Sequence, residues 1–354
     1  MRTVRSIPLA LLGVALLALG ACQAEPGSEA SGSSSGAPPA SAEAPTALPE
    51  PDVSLDADQT HARWSATIEP VVTVPSGAVV EVFTAEASDG QFDENSTDAD
   101  VANLDFDPIH PLTGPVAVEG AEPGDVLAVT LLDIEVGAWG WAAIAPGFGY
   151  LSDRFTEPFF KAFEIPAGAD RIRFNDEITV PLRPFPGVMG VAPATDSLLS
   201  TIPPRANGGN MDNRHIGVGT TVYFPVFVEG ANFSIGDTHA VQGDGEVSGT
   251  AVEAPMRIRY RVEVVEGARP LPEPQYETDD YYAVTAFGTT LDEAARKATE
   301  YMIDYLVEER GMTPEEAYVL CSLVGDLKIA EVVDVPHVLV AMHLPKDVFD
   351  AGAE

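Results

Sequence analysis

The sequence predicts a mainly β protein, a jelly-roll-like sandwich or barrel carrying an internal strand–turn echo, joined to a C-terminal α+β portion. Three observations carry this. From Val53 onward the chain runs in short apolar segments bounded by Gly, Pro, Asp and Asn. Arg257–Val265 alternates strictly, with Ile258, Tyr260, Val262 and Val264 on one face and Arg257, Arg259, Arg261 and Glu263 on the other. After Thr290 the apolar period changes from two to that of a helix.

Taken in order, the first 52 residues are not core. Arg2 and Arg5 precede an apolar run, Ile7–Leu19, which suits a signal peptide but is too short for the roughly 20 residues of a membrane span. The run ends in Leu19-Gly20-Ala21-Cys22, which resembles the bacterial lipobox. Residues 1–21 are read as a lipoprotein signal peptide and Cys22 as the lipidated residue. This places the protein in a bacterial cell envelope, anchored by lipid, on the outer membrane or periplasmic side if the host is Gram-negative. Residues 22–52, rich in Ala, Ser, Gly, Pro and Glu, cannot repay their ordering entropy and read as a disordered tether. Gly32-Ser33-Ser34-Ser35-Gly36 matches a hydrolase pattern by letters, but it lacks the strand before and helix after that a nucleophile elbow requires.

Residues 53–270 read as the β-rich core, with strands over Val79–Ala87, Val126–Val136, Thr221–Val228, Val247–Val252 and Arg257–Val265. Pro115-Val-Ala-Val-Glu-Gly-Ala121, leading to Gly124-Asp125, is echoed by Pro225-Val-Phe-Val-Glu-Gly-Ala231, leading to Gly236-Asp237. Residues 271–354 read as an α+β portion of the same unit. Thr290 and Glu293 form a capping box, followed by Leu291, Ala295, Ala298, Met302 and Tyr305/Leu306 at helical spacing. Thr313-Pro314-Glu315-Glu316 starts a second helix with Pro at its first position, and Val338–Met342 is a strand.

Composition excludes some partners. There are 19 Lys+Arg against 55 Asp+Glu, a formal charge of −36. A phosphate backbone needs a basic footprint, so nucleic acid is not expected as a partner. With Cys22 acylated, Cys321 is alone, so no intramolecular disulfide is expected; on the apolar side of a predicted helix it reads as core rather than nucleophile. The acidic stretch Asp93–Asp107 begins like an EF-hand, but Asp98 and Leu104 stand where that loop needs Gly and Glu, so it reads as a solvated loop.

Chemistry concentrates in three segments. Gly236-Asp237-Thr238-His239-Ala240-Val241-Gln242-Gly243-Asp244-Gly245-Glu246 is the densest. Asp237 and His239 are two apart, so an extended chain points them the same way, and Asp, His and Glu suit zinc or a similar divalent ion. Pro204-Arg-Ala-Asn-Gly-Gly-Asn-Met-Asp212 offers the Asn210 amide and the Asp212 carboxylate beside a glycine pair. His110 opens His110-Pro-Leu-Thr-Gly-Pro115.

Together these phrases resemble the acetamidase/formamidase family of amide hydrolases. Pro186-Gly-Val-Met-Gly-Val-Ala-Pro193 and Glu316-Ala-Tyr-Val-Leu-Cys-Ser-Leu-Val-Gly-Asp-Leu327 extend the likeness over roughly residues 58–350. The resemblance implies hydrolysis of short-chain amides to a carboxylic acid and ammonia, homo-oligomers, and a bound divalent metal, zinc or alternatively calcium. His110, Asp212, Asp237 and His239 are then the expected metal ligands, Asn210 the holder of the substrate amide, and Glu246 the general base and acid, a role that Asp244 could exchange with it. The lipoprotein signal and His337, which stands where the family's Asn is expected, depart from the pattern. Two alternatives compete with a small-molecule amidase: an envelope lipoprotein of the same fold that binds a ligand without catalysis, and a hydrolase of another C–N or ester bond.

Overall fold

Alternation builds the first sheet. Met256–Val265 lies antiparallel between Val79–Phe83 and Val126–Val136, pairing Tyr260 with Val80 and Ile258 with Ile134. Ile258, Tyr260 and Val262 face inward and are fully buried, whereas Arg257 and Arg259 point outward. There Arg257 reaches Glu81, Asp133 and Glu135 at 2.7–3.1 Å, and Arg259 reaches Glu81 at 2.8 Å. This lattice gives Arg257 three acids and Arg259 one, while Arg259 Nε keeps no partner.

The computed structural model describes residues 47–349, which lie in one compact unit. The segment read as a signal peptide, Cys22, the serine tract at 32–36 and most of the segment read as a tether fall outside the described residues. Two nine-stranded sheets enclose a shared core, to which Val80, Val129 and Tyr260 come from the first sheet and Val116, Met189 and Ile235 from the second. The first sheet continues through Thr221–Pro225, Gln275–Glu277 and Tyr281–Gly288 to Val338–Pro345 and Asp326–Glu331, so the C-terminal portion extends the same sheet. In Val338–Pro345, Leu339 and Ala341 face the shared core while Val340 and Met342 face the helices. The second sheet runs Gly208–Asn210, Phe185–Gly190, Phe233–Val241, Val252–Glu253, Trp139–Ile144, Phe159–Glu164, with Leu112–Val118 also pairing with Phe233–Val241. The expected β-sandwich with a C-terminal α+β portion is thus the fold.

The helices Leu291–Arg310 and Pro314–Val324 lie where their periodicity and caps place them. Thr290 caps the first, but Glu293 reaches back to Thr289 rather than closing a box on Thr290. Cys321 is buried in the helix-side core. Among the described residues no helix is long and apolar enough to cross a membrane.

Three strand expectations are corrected. Val79–Ala87 stops at Phe83, and Thr221–Val228 stops at Pro225, which has no N–H to continue a ladder. In Val247–Val252 only Val252 is strand, because Glu246 and Gly249 take left-handed backbone and the chain doubles back. The sequence echo proves to be one of turns: Pro115–Val118 is strand, but the chain after Pro225 is not. The two Glu-Gly turns dock on each other, with Val118 N–H donating to the Gly230 carbonyl and Gly230 N–H to that of Ala121.

Candidate active site

The site forms at one end of the second sheet, where four segments bring acids inward. Phe233–Val241 carries Asp237 and His239, buried on both sides by Phe185–Gly190 and Val252–Glu253. Gly208–Asn210 delivers Asn210 and then Asp212, whose N–H donates to the Gly187 carbonyl at 3.2 Å. The turn after Gln242 delivers Glu246: Gly245 N–H donates to Ala330 O at 2.9 Å, and Val332 N–H to Gly245 O at 3.2 Å. These bonds bring the C-terminal Glu331 and Asp334 alongside.

Asp212, Asp237 and Glu246 share an unusual backbone. Their φ values are +40°, +47° and +45°, three of the six non-glycine residues in the left-handed region among those described. Such conformations are costly for side chains with a Cβ and gather where surrounding structure imposes them for function. Gly187 explains part of the fit. A Cβ there would lie 2.5 Å from Asp212 Oδ1 and 2.7 Å from His239 Cε1, so only glycine leaves room for this pair.

His239 is the hub. Its Nδ1 is 2.8 Å from Gln242 Oε1, and Gln242 Nε2 donates to the Asp212 carbonyl at 2.6 Å. Because the Gln242 amide must present N–H to that carbonyl, its oxygen faces His239, and Nδ1 carries the proton. Nε2 then looks to Glu253 Oε2 at 3.0 Å and Asp237 Oδ1 at 3.5 Å. His110 Nε2 lies 3.7 Å from Asp237 Oδ2, and its Nδ1 is buried without a partner. Asn210 Nδ2 donates to Asp334 Oδ2 at 2.7 Å, leaving Asn210 Oδ1 unpartnered, and both Asp212 carboxylate oxygens are buried and unpartnered as well.

Six carboxyl groups, Asp212, Asp237, Glu246, Glu253, Glu331 and Asp334, are buried here. Burial raises the Asp212 carboxyl, with His239 and the Asp237 charge acting in opposite directions on it. Burial and then the Asp212 charge raise Glu246 well above the usual carboxylate range. Glu253 is pushed up to about 7 and Glu331 to about 8, chiefly by burial, and Asp334 rises by burial and the neighbouring Glu331. Asp237 goes the other way, to about 2, since His110 and His239 outweigh its burial. Burial alone would lower His239, but Glu253 and Asp237 hold it well above the ordinary imidazole value. So much negative charge with so few cations calls for shared protons or a bound cation.

Two sets could hold a metal ion: Asp212, His239 and Glu246, and Asp237, His239 and Glu253. Beside them opens a cavity of about 50 Å3. His110, Asn210, Asp212, Asp237, Glu246, Glu253 and Asp334 line its polar side, and apolar residues including Trp141, Leu104 and Phe148 line the other.

Of the residues singled out from sequence, His110, Asn210, Asp212, Asp237, His239 and Glu246 come together. Asp244 does not. It sits on the solvent side of the turn, 3.0 Å from His215 Nε2, because the left-handed backbone at Gly245 and Glu246 turns the chain so that Glu246 takes the inward place. His337 also stays outside the cavity, with Nδ1 2.7 Å from the Pro204 carbonyl. Glu253, Glu331, Asp334 and Gly187 escaped the sequence reading. An acid inside an apolar run, as in Ala251-Val-Glu-Ala254 and Val332-Val-Asp-Val335, was the available signal.

A buried carboxylate–imidazole centre facing a small cavity, mounted on a β-sandwich, defines a hydrolase-like site with the means to hold a divalent cation. The chain matches the acetamidase/formamidase family over residues 50–200 and 197–351, and it belongs to that family. It is 30% identical to an acetamidase of Mycolicibacterium smegmatis, over 58% of this chain and 66% of that protein. It is 25% identical to a formamidase of Methylophilus methylotrophus, over 82% and 90%. Among solved structures, a predicted acetamidase/formamidase from Thermoanaerobacter tengcongensis superposes with a TM-score of 0.79 at 34% identity, covering 84% of this chain and 97% of that one. A γ-lactamase from Delftia acidovorans superposes at 0.58 and 26% identity, covering 82% and 90%.

Proposed function

We propose that the protein is an amidase that hydrolyses short-chain linear amides of the formamide and acetamide type, adding water across the C–N bond to give a carboxylic acid and ammonia. The observation that carries this reading is the unbalanced buried carboxylate cluster at the polar side of a small cavity. About 50 Å3 holds roughly three to five water-sized groups, which matches the three or four heavy atoms of formamide or acetamide.

The donor set fits a divalent metal, since Glu253 Oε2 is buried without a hydrogen-bond partner beside His239 and the acids outnumber the cations. Because Gln242 occupies Nδ1 of His239, we assign the ion to the Nε2 side, with Asp237, His239 and Glu253 as ligands and His110 adjoining them. This assignment moves Asp212 from a ligand of that ion to a neighbour of Glu246. Imidazole and carboxylate together suit zinc better than calcium, which prefers oxygen alone. When bound, such an ion would supply Lewis-acid polarisation and lower the pKa of water. Glu246, whose carboxyl burial and the Asp212 charge shift above the usual range, is placed to take a proton from the attacking water and pass it to the departing nitrogen. Asn210 Oδ1 accepts from the substrate N–H2, with its own amide fixed by Asp334. The apolar side excludes bulk water.

The lipobox-like Leu19–Cys22 supports placement in a bacterial envelope through lipid on Cys22, and the family resemblance implies a homo-oligomer. Mass spectrometry of the mature N-terminus tests the first, and light scattering the second. The decisive assay is ammonia release from formamide, acetamide and longer amides by the mature protein, with and without chelator. Release from the short amides that chelation abolishes is expected; no release from any amide would overturn the reading.

A further inference from the structure

The acidic stretch that sequence treats as a solvated loop has a definite place in the molecule. Residues 87–109 fold over the outer face of the second sheet and bury Ala87, Phe92 and Val101 against Trp141, Ala143 and Ala145. Their acids point to solvent, while Val101, Leu104 and Phe106 line the cavity opposite the carboxylate cluster.

This wall is fixed at both ends. At its start Glu86 is buried and fully engaged. Its Oε1 accepts from Ser88 Oγ and Gly90 N–H, both at 2.7 Å, and its Oε2 from Ser88 N–H at 2.9 Å and Trp141 Nε1–H at 2.6 Å. A buried carboxylate with four donors holds its turn in one geometry. At the far end Thr201 Oγ1 donates to the Ile109 carbonyl at 2.7 Å. In between, Gln91 Nε2 donates to Asp105 O at 2.9 Å, and Asp105 N–H to Gln91 Oε1 at 2.8 Å. Opposite, Phe148 is pressed into place by the chain at Gly249, where a Cβ would come within 2.4 Å of its ring.

We propose that the 87–109 segment is the acyl-length gauge of the enzyme, with Leu104 and Val101 facing Phe148 and Trp141 to close the end of the cavity that takes the substrate's acyl group. The inference rests on the amidase reading and deepens it. A substrate whose nitrogen meets Asn210 and whose carbonyl meets the carboxylate cluster can direct its acyl carbon only toward the apolar side. A wall stitched by this many hydrogen bonds cannot yield to a longer chain at low cost, so selection is steric.

The test uses the full-length mature protein and a series from formamide to butyramide. Leu104→Ala should raise kcat/KM for butyramide relative to acetamide by about 10-fold or more, the range expected when one or two methylenes gain room in an apolar pocket. Leu104→Phe should move the balance the opposite way, lowering acetamide relative to formamide, and it serves equally if the alanine variant fails to fold. Ratios equal to wild type in a folded variant of either kind would overturn the proposal. If the wild type turns over no amide, the amidase reading falls, and the wall is judged separately by thermal shift. Formate and acetate should then protect the wild type while butyrate protects only Leu104→Ala, and equal protection by all three would reject the gauge.

Discussion

Two charged regions of this molecule obey opposite rules. On the outer face of the first sheet, Arg257 and Arg259 meet Glu81, Asp133 and Glu135, so each cation has an acid in reach. The backbone there is regular strand apart from one register shift between Arg259 and Tyr260. At the end of the second sheet, six buried carboxyls surround His239 and His110, three of them on left-handed backbone, and several polar atoms have no partner. The first arrangement is what charge does for solubility and modest stability. The second costs stability and persists only because surrounding structure imposes it, which marks it as functional.

The sharpest way to break this contrast is to remove the hub. His239→Ala should abolish both bound metal and amide turnover, read by elemental analysis and ammonia release; retained metal with full turnover would erase the distinction drawn between the regions. Separating the roles within the cluster comes next. Glu253→Gln should lose metal, whereas Glu246→Gln should keep it and lower kcat by about 10²–10⁴-fold, the usual worth of a positioned acid–base group. Loss of metal in Glu246→Gln would move the ion to the Asp212 side of His239.

Gly187→Ala tests whether the strained site is a matter of fit. The added Cβ collides with Asp212 and His239, so thermal denaturation should show a loss of about 1–3 kcal/mol, with activity falling much further than stability. Arg257→Ala is the counterpart in the other region. Its side chain is about a quarter exposed, so a loss near 1 kcal/mol is expected, with kcat/KM unchanged.

The smallest effect concerns pH. Hydrogen bonding from Arg259, and then Arg257, holds the Glu81 carboxyl below its ordinary value despite some burial. A depressed folded pKa gives stability that is present above the unfolded value and lost as pH falls through the folded one. Acid titration of Glu81→Gln should therefore show a slightly shallower loss of stability than wild type in that window, and identical curves would remove Glu81 from the account.

Much of the fold was legible because it follows from local periodicity and caps. Val126–Val136 is a strand with the limits its apolar run predicts, and Thr313-Pro314-Glu315-Glu316 starts a helix with Pro in its first turn. The site was legible in part, since Asp237, His239, Asp212, Asn210 and Glu246 sit in glycine-rich polar phrases that stand out from the strands around them. Asp244 and Glu246 have equivalent sequence surroundings, and only the turn reveals that one faces His215 and the other the cavity.

By itself, then, the sequence determined the β-sandwich with its helical C-terminal cover, the family likeness and a short list of polar residues, because period, capping and motif are properties of neighbours along the chain. Tertiary structure decided the rest. Glu253, Glu331 and Asp334 join Asp212 from distant segments, Gly187 matters only because two side chains pack against it, and an acidic loop becomes the wall of a pocket. Burial and electrostatic coupling belong to groups that are close in space, and spacing along the chain does not encode that closeness.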